Sequence, residues 1–177
     1  MSYSSDVLIV GAGSGGLSLA LRLAGQGYRI RILQRQEPPS WLLRPEIVQP
    51  AGLQAFAELG LLERLRSRKV ARVETFHFHR IGGDRLCGVD YRMLDHPYPY
   101  ALIALADQSR RVLLEGLGAY SNVHIHWDAR FTEVLRRGRQ VIGARAVEGG
   151  QERDFFSFVT VGSDGAGSPV REALGIG

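Results

Sequence analysis

Short apolar runs alternate with amphipathic segments along the first part of the chain, which predicts alternating strands and helices. The run from Val7 to Val10 contains no polar residue and predicts a central strand of a parallel sheet, covered on both faces. The segment from about Gly15 to Gly25 repeats apolar residues at helical spacing and predicts a helix. A second apolar run, from Tyr28 to Leu33, completes a strand–loop–helix–strand unit.

The pattern changes to a period of two further along the chain. Residues Val73 to His79 alternate between apolar and polar, a Gly82-Gly83-Asp84 turn follows, and Arg85 to Tyr91 runs back. This arrangement predicts a β-hairpin. Together with a short strand from Ala101 to Leu105, the hairpin forms an insertion at about residues 70–105.

The last third of the chain predicts a return to the parallel sheet and then a β-meander. A helix from Gln108 to Leu117 leads to a strand from Val123 to Trp127, which resumes the parallel sheet. Three more strands, joined by glycine turns, lie over that sheet; they are predicted at Arg130–Leu135, Gln140–Val147 and Asp154–Val161. The predicted fold class is α/β, a Rossmann-like domain with a parallel sheet, a β-meander crossover and an inserted β-hairpin.

The turn after the first strand carries glycines at the spacing G-x-G-x-x-G, which is typical of a dinucleotide-binding fold. Gly11 permits the sharp turn out of the strand, Gly13 lets a pyrophosphate approach the backbone, and Gly16 lets the helix pack closely. N–H groups at the helix start, at Ser14 and Gly15, face the phosphates. Because the spacing sits within a strand–loop–helix–strand unit, it predicts a dinucleotide site.

The end of the second strand departs from the usual pattern. A dinucleotide fold normally places Asp or Glu there to bind the adenosine ribose, whereas this chain has Gln34 followed by Arg35. Gln34 can donate and accept hydrogen bonds, but it lacks the charge of a carboxylate. Either Gln34 serves an FAD site or Arg35 binds the 2′-phosphate of NADP; a third option, Glu37, needs an unusual loop path. Arg44, in the following loop, either reaches a pyrophosphate or flavin or lies on the surface.

Composition and charge narrow the function classes. The 177 residues suffice for one well-buried domain, and the net charge of +4 comes from scattered arginines, with Lys69 as the sole lysine. Without a basic block, a nucleic-acid-binding face is not expected. One cysteine, Cys87, excludes an internal disulfide and suits a reducing compartment, and no segment is apolar enough to span a membrane. A cytoplasmic location is therefore expected.

Four of the histidines form two pairs at i and i+2, His77 with His79 and His124 with His126. Neither pair has a Cys or acidic residue at the spacing of a metal ligand set. We therefore interpret them as solvated or partly packed strand residues and predict no metal site.

The final strand leads into Asp164-Gly165-x-x-Ser168-x-x-Arg171, which resembles the D-G-x-x-S-x-x-R fingerprint of single-component, para-hydroxybenzoate hydroxylase-like flavoprotein monooxygenases. The glycine loop, Arg44 and the helices at Leu53–Leu61 and Arg111–Glu115 resemble the same family, so the resemblance covers the whole chain in the family's order. It implies FAD, NADH or NADPH as electron donor, and insertion of one oxygen atom from O₂ into an aromatic or similarly activated small molecule.

The resemblance also implies roles for individual residues. The glycine loop would hold the FAD pyrophosphate, Gln34 would meet the adenosine ribose, and Arg44 would reach the FAD phosphates or the flavin. Phe131 falls where relatives pass their backbone near the adenine, and Asp164 with Gly165 lies near the pyrophosphate. No catalytic residue is implied, because flavin chemistry and pocket shape carry catalysis in this family.

Three departures from the family pattern shape the expectation for the whole chain. Gln34 replaces the usual Glu, and Ala106 stands where relatives often have a Gln or Arg that touches FAD, which leaves Arg110 and Arg111 as substitutes. The family's second Gly-Asp fingerprint is missing before the chain stops at Gly177. Residues 1–177 are therefore expected to form the N-terminal portion of an FAD-binding domain without the C-terminal substrate half. That half, or a second polypeptide, would have to supply the substrate pocket.

Two other functions compete with this reading. A different FAD oxidoreductase on the same scaffold, similar to geranylgeranyl reductase, would differ only in the missing half. A non-catalytic nucleotide-binding remnant, acting as a partner subunit, would explain Gln34 and Ala106. The intact glycine loop and the Asp164 fingerprint argue against the remnant.

Overall fold

The computed structural model describes residues 3–36 and 45–176, which divide into two compact units. The first unit comprises Met1–Trp41 and Leu113–Gly177, and the second comprises Leu42–Val112. The strands are β1 (Ser5–Val10), β2 (Ile30–Leu33), β3 (Pro45–Val48), β4 (Val70–Val73), β5 (Thr75–His79), β6 (Arg85–Asp90), β7 (Ala101–Leu105), β8 (Val123–His126), β9 (Ala129–Arg137), β10 (Gln140–Glu148) and β11 (Gln151–Gly162). The α-helices are α1 (Ser14–Ala24), α2 (Pro50–Glu58), α3 (Leu62–Arg66), α4 (Ala106–Leu117) and α5 (Pro169–Ala173).

A six-stranded sheet in the order β8-β2-β1-β11-β10-β9 organises the first unit. Strands β8, β2, β1 and β11 run parallel, and β11, β10 and β9 are antiparallel. The twelve-residue β11 joins the two parts, because Gln151–Phe156 pairs with β10 and Ser157–Gly162 pairs with β1. The predicted return of the chain to the parallel sheet at residues 123–127 is confirmed, and the structure places that strand, β8, beside β2.

The two faces of the parallel sheet are covered by different elements, as the unbroken apolar run of β1 predicts. Helix α1 packs against β1 and β2 and buries Leu17, Ala20, Leu21 and Ala24. On the meander side, Leu8, Val10 and Leu33 join one buried cluster with side chains of the meander strands and α5; those are Ala129, Phe131, Val134, Ala144, Ala146, Phe155 and Val170. This cluster confirms that the meander packs on the sheet, but the prediction is wrong for the third meander strand, because Ser157–Gly162 of β11 is itself a strand of the parallel sheet.

The second unit contains a three-stranded antiparallel sheet, β3-β7-β4, and the separate hairpin of β5 and β6. The hairpin reverses through Gly82, whose φ of +88° suits glycine. The single strand predicted over Val73–His79 is wrong in one respect: the chain changes partner at Glu74, since Val73 pairs with β7 and Thr75 pairs with β6. Among the described residues, no helix is both long and apolar enough to cross a membrane.

Candidate cofactor site

Gly11 and Gly16 are required by close packing within the loop between β1 and α1. A Cβ atom at Gly11 would lie 2.2 Å from the carbonyl oxygen of Ser163, and its φ of +105° is unfavourable for other residues. A Cβ atom at Gly16 would lie 2.2 Å from the carbonyl oxygen of Gly11. The loop therefore packs directly on the turn after β11, and α1 packs directly on the loop, as the glycine spacing predicts.

Gly13 differs from these two glycines because it faces open space. Its φ of −76° is allowed for any residue, and a Cβ atom there would meet no atom of the described chain within 4 Å. Gly13 caps α1 without a side-chain hydrogen bond from the described residues, and the first turn carries no acidic residue. Gly13, Ser14 and Gly15 are exposed, so the N–H groups at the start of α1 are available to an anion such as a pyrophosphate.

Gln34 links the end of β2 to the glycine loop through a side-chain hydrogen bond. Its side-chain Oε1 accepts a hydrogen bond of 2.8 Å from the N–H group of Ala12. Its backbone N–H donates to the carbonyl oxygen of His126, and its carbonyl oxygen accepts from the N–H of Ala129, both at 2.9 Å. The Gln34 amide nitrogen, Nε2, is the side-chain donor that this residue offers to a ribose.

A cavity of about 370 Å³ lies beside Gln34. Its lining includes the predicted site residues Gly11, Gln34, Arg35, Phe131 and Asp164. The other lining residues are not among the predicted site residues. They come from the ends of β1 and β2 and from the starts of β9 and α5; they are Val10, Leu33, Ala129, Arg130, Thr132 and Pro169. Its size lies within the range of small-molecule sites, and its apolar walls suit a flat aromatic base.

The Asp164 fingerprint folds into a turn that is held by its own side chains. Asp164 accepts hydrogen bonds from the Ser168 hydroxyl at 2.5 Å and from the Val170 N–H at 3.0 Å. The Ser168 hydroxyl oxygen accepts from the Arg171 N–H at 3.0 Å, which caps α5, and the Arg171 guanidinium donates to the Ala166 carbonyl at 2.7 Å. Both carboxylate oxygens of Asp164 thus hold the turn in place.

A second cavity, of about 490 Å³, lies at the start of α1. It is lined by the exposed loop residues Gly13 and Gly15 and by the fingerprint turn from Gly162 to Gly165, with Ser168 and Arg171. Asp164 borders both cavities, and we call the two cavities together the groove of the first unit. The predicted site residues that line it are Gly11, Gly13, Gly15, Gln34, Arg35, Phe131, Asp164 and Gly165.

Four predicted site residues are not among the described residues that line the two cavities. Ser14 is exposed at the start of α1, and Gly16 is buried against the carbonyl oxygen of Gly11. Arg44 lies outside the described residues. Arg111 lies in α4, within the second unit, and its role in FAD binding stays a prediction. In the described part of the chain, no group of three or more His, Cys, Asp or Glu residues is arranged to hold a metal ion.

Comparison with known proteins gives consistent results. The family described as FAD binding domain matches residues 4–177. Para-nitrophenol 4-monooxygenase of Pseudomonas sp. strain WBC-3 is 29% identical over 178 residues, covering 99% of this chain and 44% of that protein. The crystal structure of p-nitrophenol 4-monooxygenase from Pseudomonas putida DLL-E4 has a TM-score of 0.85 at 26% identity, covering 99% of this chain and 44% of that one.

A ternary complex of aklavinone-11 hydroxylase with FAD and aklavinone is also similar, with a TM-score of 0.80 and 25% identity over 99% of this chain and 35% of that one. The chain therefore spans less than half the length of each of these relatives. The predicted resemblance to flavoprotein monooxygenases is confirmed, and the family match supports FAD as the cofactor. With residues 4–177 matched, this chain belongs to the FAD binding domain family.

Proposed function

We propose that this chain is the FAD-binding part of an NADH- or NADPH-dependent flavoprotein monooxygenase that hydroxylates an aromatic small molecule. The observation that carries the proposal is the exposed start of α1 at Gly13, which lines one cavity with the Asp164 turn, while Asp164 also borders the cavity beside Gln34. The relatives act, by name, on para-nitrophenol and aklavinone, both of which contain aromatic rings.

The residues of the groove fit the parts of FAD. The exposed N–H groups from Gly13 to Gly15 would bind the pyrophosphate, and the apolar cavity beside Phe131 would accept the adenine. Gln34 and Arg35 would bind the ribose, while Arg44 and Arg111 are proposed further contacts. FAD supplies the redox chemistry when bound, and the residues of this chain bind it, orient it and shield it from water.

We also propose that the substrate pocket is completed by residues outside this chain, in a C-terminal half or a second polypeptide. One edge of the Ser157–Gly162 segment pairs with β1, and no strand of the described ranges pairs with its other edge. Phe158 and Val159 on this segment are 58% and 53% exposed, which is unusual for large apolar residues of a sheet.

A cytoplasmic location is proposed, since the exposed Cys87 thiol suits a reducing compartment.

A competition experiment tests the nucleotide preference. The chain is titrated with FAD, and bound FAD is then challenged with FMN, ADP and NADP⁺. Retention against FMN and NADP⁺, with weak displacement by ADP, is expected because the adenosine cavity and the pyrophosphate site are both used. Displacement by NADP⁺ at a concentration equal to that of FAD would instead favour an NADP site at Arg35.

A chimaera tests the reaction. Residues 1–177 are joined to the remaining part of para-nitrophenol 4-monooxygenase, and product is measured with NADH or NADPH as donor. The isolated chain is expected to hydroxylate nothing, and the chimaera is expected to hydroxylate para-nitrophenol. A chimaera that retains flavin but forms no product with either donor, or turnover by the isolated chain, would contradict the proposal.

A further inference from the structure

A buried histidine–carboxylate pair joins the parallel sheet to the meander. His126, the last residue of β8, is only 9% exposed, and its Nδ1 lies 2.8 Å from Oε1 of Glu148 on β10. The His126 ring also packs edge-on against Phe155 of β11, with 4.7 Å between the ring centroids. A carboxylate only accepts hydrogen bonds, so Nδ1 carries the proton that His126 donates to Glu148.

The backbone of His126 is hydrogen-bonded to Gln34, the residue whose side chain reaches the glycine loop. The His126 carbonyl oxygen accepts a hydrogen bond from the Gln34 N–H, and three residues later the Ala129 N–H donates to the Gln34 carbonyl oxygen. The intervening tight turn includes Asp128, whose φ of +52° lies in the left-handed region. The backbone N–H and carbonyl groups of Gln34 are therefore both hydrogen-bonded to this turn, while its side-chain Oε1 accepts a hydrogen bond from the Ala12 N–H.

The surroundings of His126 disfavour protonation of its imidazole. Burial lowers the pKa of His126 below its usual value; Glu148 acts in the opposite direction, and the charges of His124 and Arg31 reinforce the lowering. Burial alone would raise the pKa of the Glu148 carboxyl, but the His126 hydrogen bond and the Arg153 charge lower it overall. The His126 Nε2 atom is buried without a hydrogen-bond partner among the described residues. A proton there would become a buried donor with no acceptor, which is unfavourable.

We propose that His126 and Glu148 are positioning residues for the adenosine part of the FAD site, acting through the 126–129 turn on Gln34. The inference rests on the proposed FAD function, because the groove it shapes is the one assigned to the cofactor. When His126 takes up a proton at Nε2, the turn loosens, the hydrogen bond from the Ala12 N–H to Gln34 Oε1 is weakened, and FAD binds less tightly.

The first test measures the Kd for FAD from flavin fluorescence between about pH 8 and about pH 5. Since the pKa of His126 in the folded chain lies below its usual value of about 6.5, affinity is expected to be constant at neutral pH and to fall as the pH drops below that value. His126→Phe keeps a buried ring but loses the donor to Glu148, and is expected to bind FAD about tenfold more weakly without this pH dependence.

Two matched variants separate positioning from general effects. His126→Asn keeps a donor at the Nδ1 position but does not titrate, so it is expected to bind FAD like the wild type near neutral pH and to lose the decline at acid pH. His79→Asn, on the exposed hairpin, removes a histidine elsewhere and is expected to retain both the affinity and its pH dependence. Wild-type affinity and pH dependence in His126→Phe would overturn the proposal.

Amide hydrogen exchange of the ligand-free chain gives a readout that does not depend on FAD. Exchange at Gln34 and Ala12 is expected to be faster in His126→Phe than in the wild type or His79→Asn. Unchanged protection at both amides would overturn the positioning role even if affinity changed. If the wild type binds no FAD at any pH, the proposed function fails and the cofactor role of His126 fails with it, while exchange at Gln34 still reports on the structural link.

Discussion

The contrast between Gly13 and Gly16 gives a sharp prediction, because the two glycines lie in one loop and serve different partners. Gly13→Ala adds a methyl group where no atom of the described chain lies within 4 Å, at a φ of −76° that alanine readily adopts. Gly16→Ala adds a methyl group 2.2 Å from the carbonyl oxygen of Gly11, so backbone must move to make room. The first change alters the space offered to a ligand, and the second alters the fold.

The magnitudes follow from these positions. For Gly13→Ala, the loss of a favourable helix cap is offset by a less flexible unfolded chain, so the free energy of unfolding should change by less than about 0.5 kcal/mol. For Gly16→Ala, overpacking against backbone should lower it by about 1–3 kcal/mol or more. FAD affinity should nevertheless fall at least about tenfold in Gly13→Ala, equivalent to about 1.4 kcal/mol, because the methyl group displaces the pyrophosphate from the N–H groups of α1.

Urea unfolding measures the stability of both variants, and flavin fluorescence measures the Kd for FAD. Gly27→Ala serves as a control for the effect of a lost glycine, since its φ of +87° predicts a stability cost with no effect on FAD. Wild-type FAD affinity in Gly13→Ala would show that the open space at this glycine is not used by the cofactor, and the reasoning from the loop geometry would be refuted.

Three further predictions concern the groove and the sheet edge. Gln34→Glu keeps the acceptor for the Ala12 N–H and adds a negative charge, so FAD affinity should rise about fivefold. Fluorescence titration measures this change, and the comparison variant Gln34→Leu, which loses the acceptor, should bind FAD more weakly than the wild type. Asp164→Asn disturbs the two hydrogen bonds that hold the fingerprint turn and should lower the free energy of unfolding by about 1–3 kcal/mol in urea; an unchanged midpoint would contradict this role. Phe158→Lys replaces a side chain that is 58% exposed and whose ring centroid lies 4.1 Å from that of Tyr3, so it should raise solubility and cost about 0.5–1.5 kcal/mol of stability. A much larger loss of stability in urea would contradict the role of this side chain at an open sheet edge.

The sequence predicts the parts of the fold that depend on neighbouring residues. The unbroken apolar run of β1 and the glycine spacing identify the strand, loop and helix, because turn geometry and close approach are decided within a few residues. The partner change at Glu74, where the pairing moves from β7 to β6, is not predicted, although the apolar positions move from odd to even numbers between Val73 and Phe76. Strand pairing is a long-range property that periodicity does not encode.

The same division holds at the candidate site. Resemblance places Asp164 at the groove, but only the structure shows that both of its carboxylate oxygens hold the fingerprint turn. The sequence indicates a polar ribose contact at Gln34, whereas its bond to Ala12 depends on how the side chain crosses the loop. The pairing of His126 with Glu148 joins residues that are 22 positions apart and depends on how the meander lies over the sheet, so spacing alone gives no signal for it.

The visible absorption spectrum of the purified chain, with and without added FAD, tests the central claim most directly. Flavin absorbance that stays with the chain through gel filtration, and is reduced in Gly13→Ala, is the expected result. It would show that the glycine loop, Gln34 and the Asp164 turn make a usable FAD site. A chain that stays colourless even at high FAD concentration would contradict the account, and the monooxygenase resemblance would then describe ancestry and not activity.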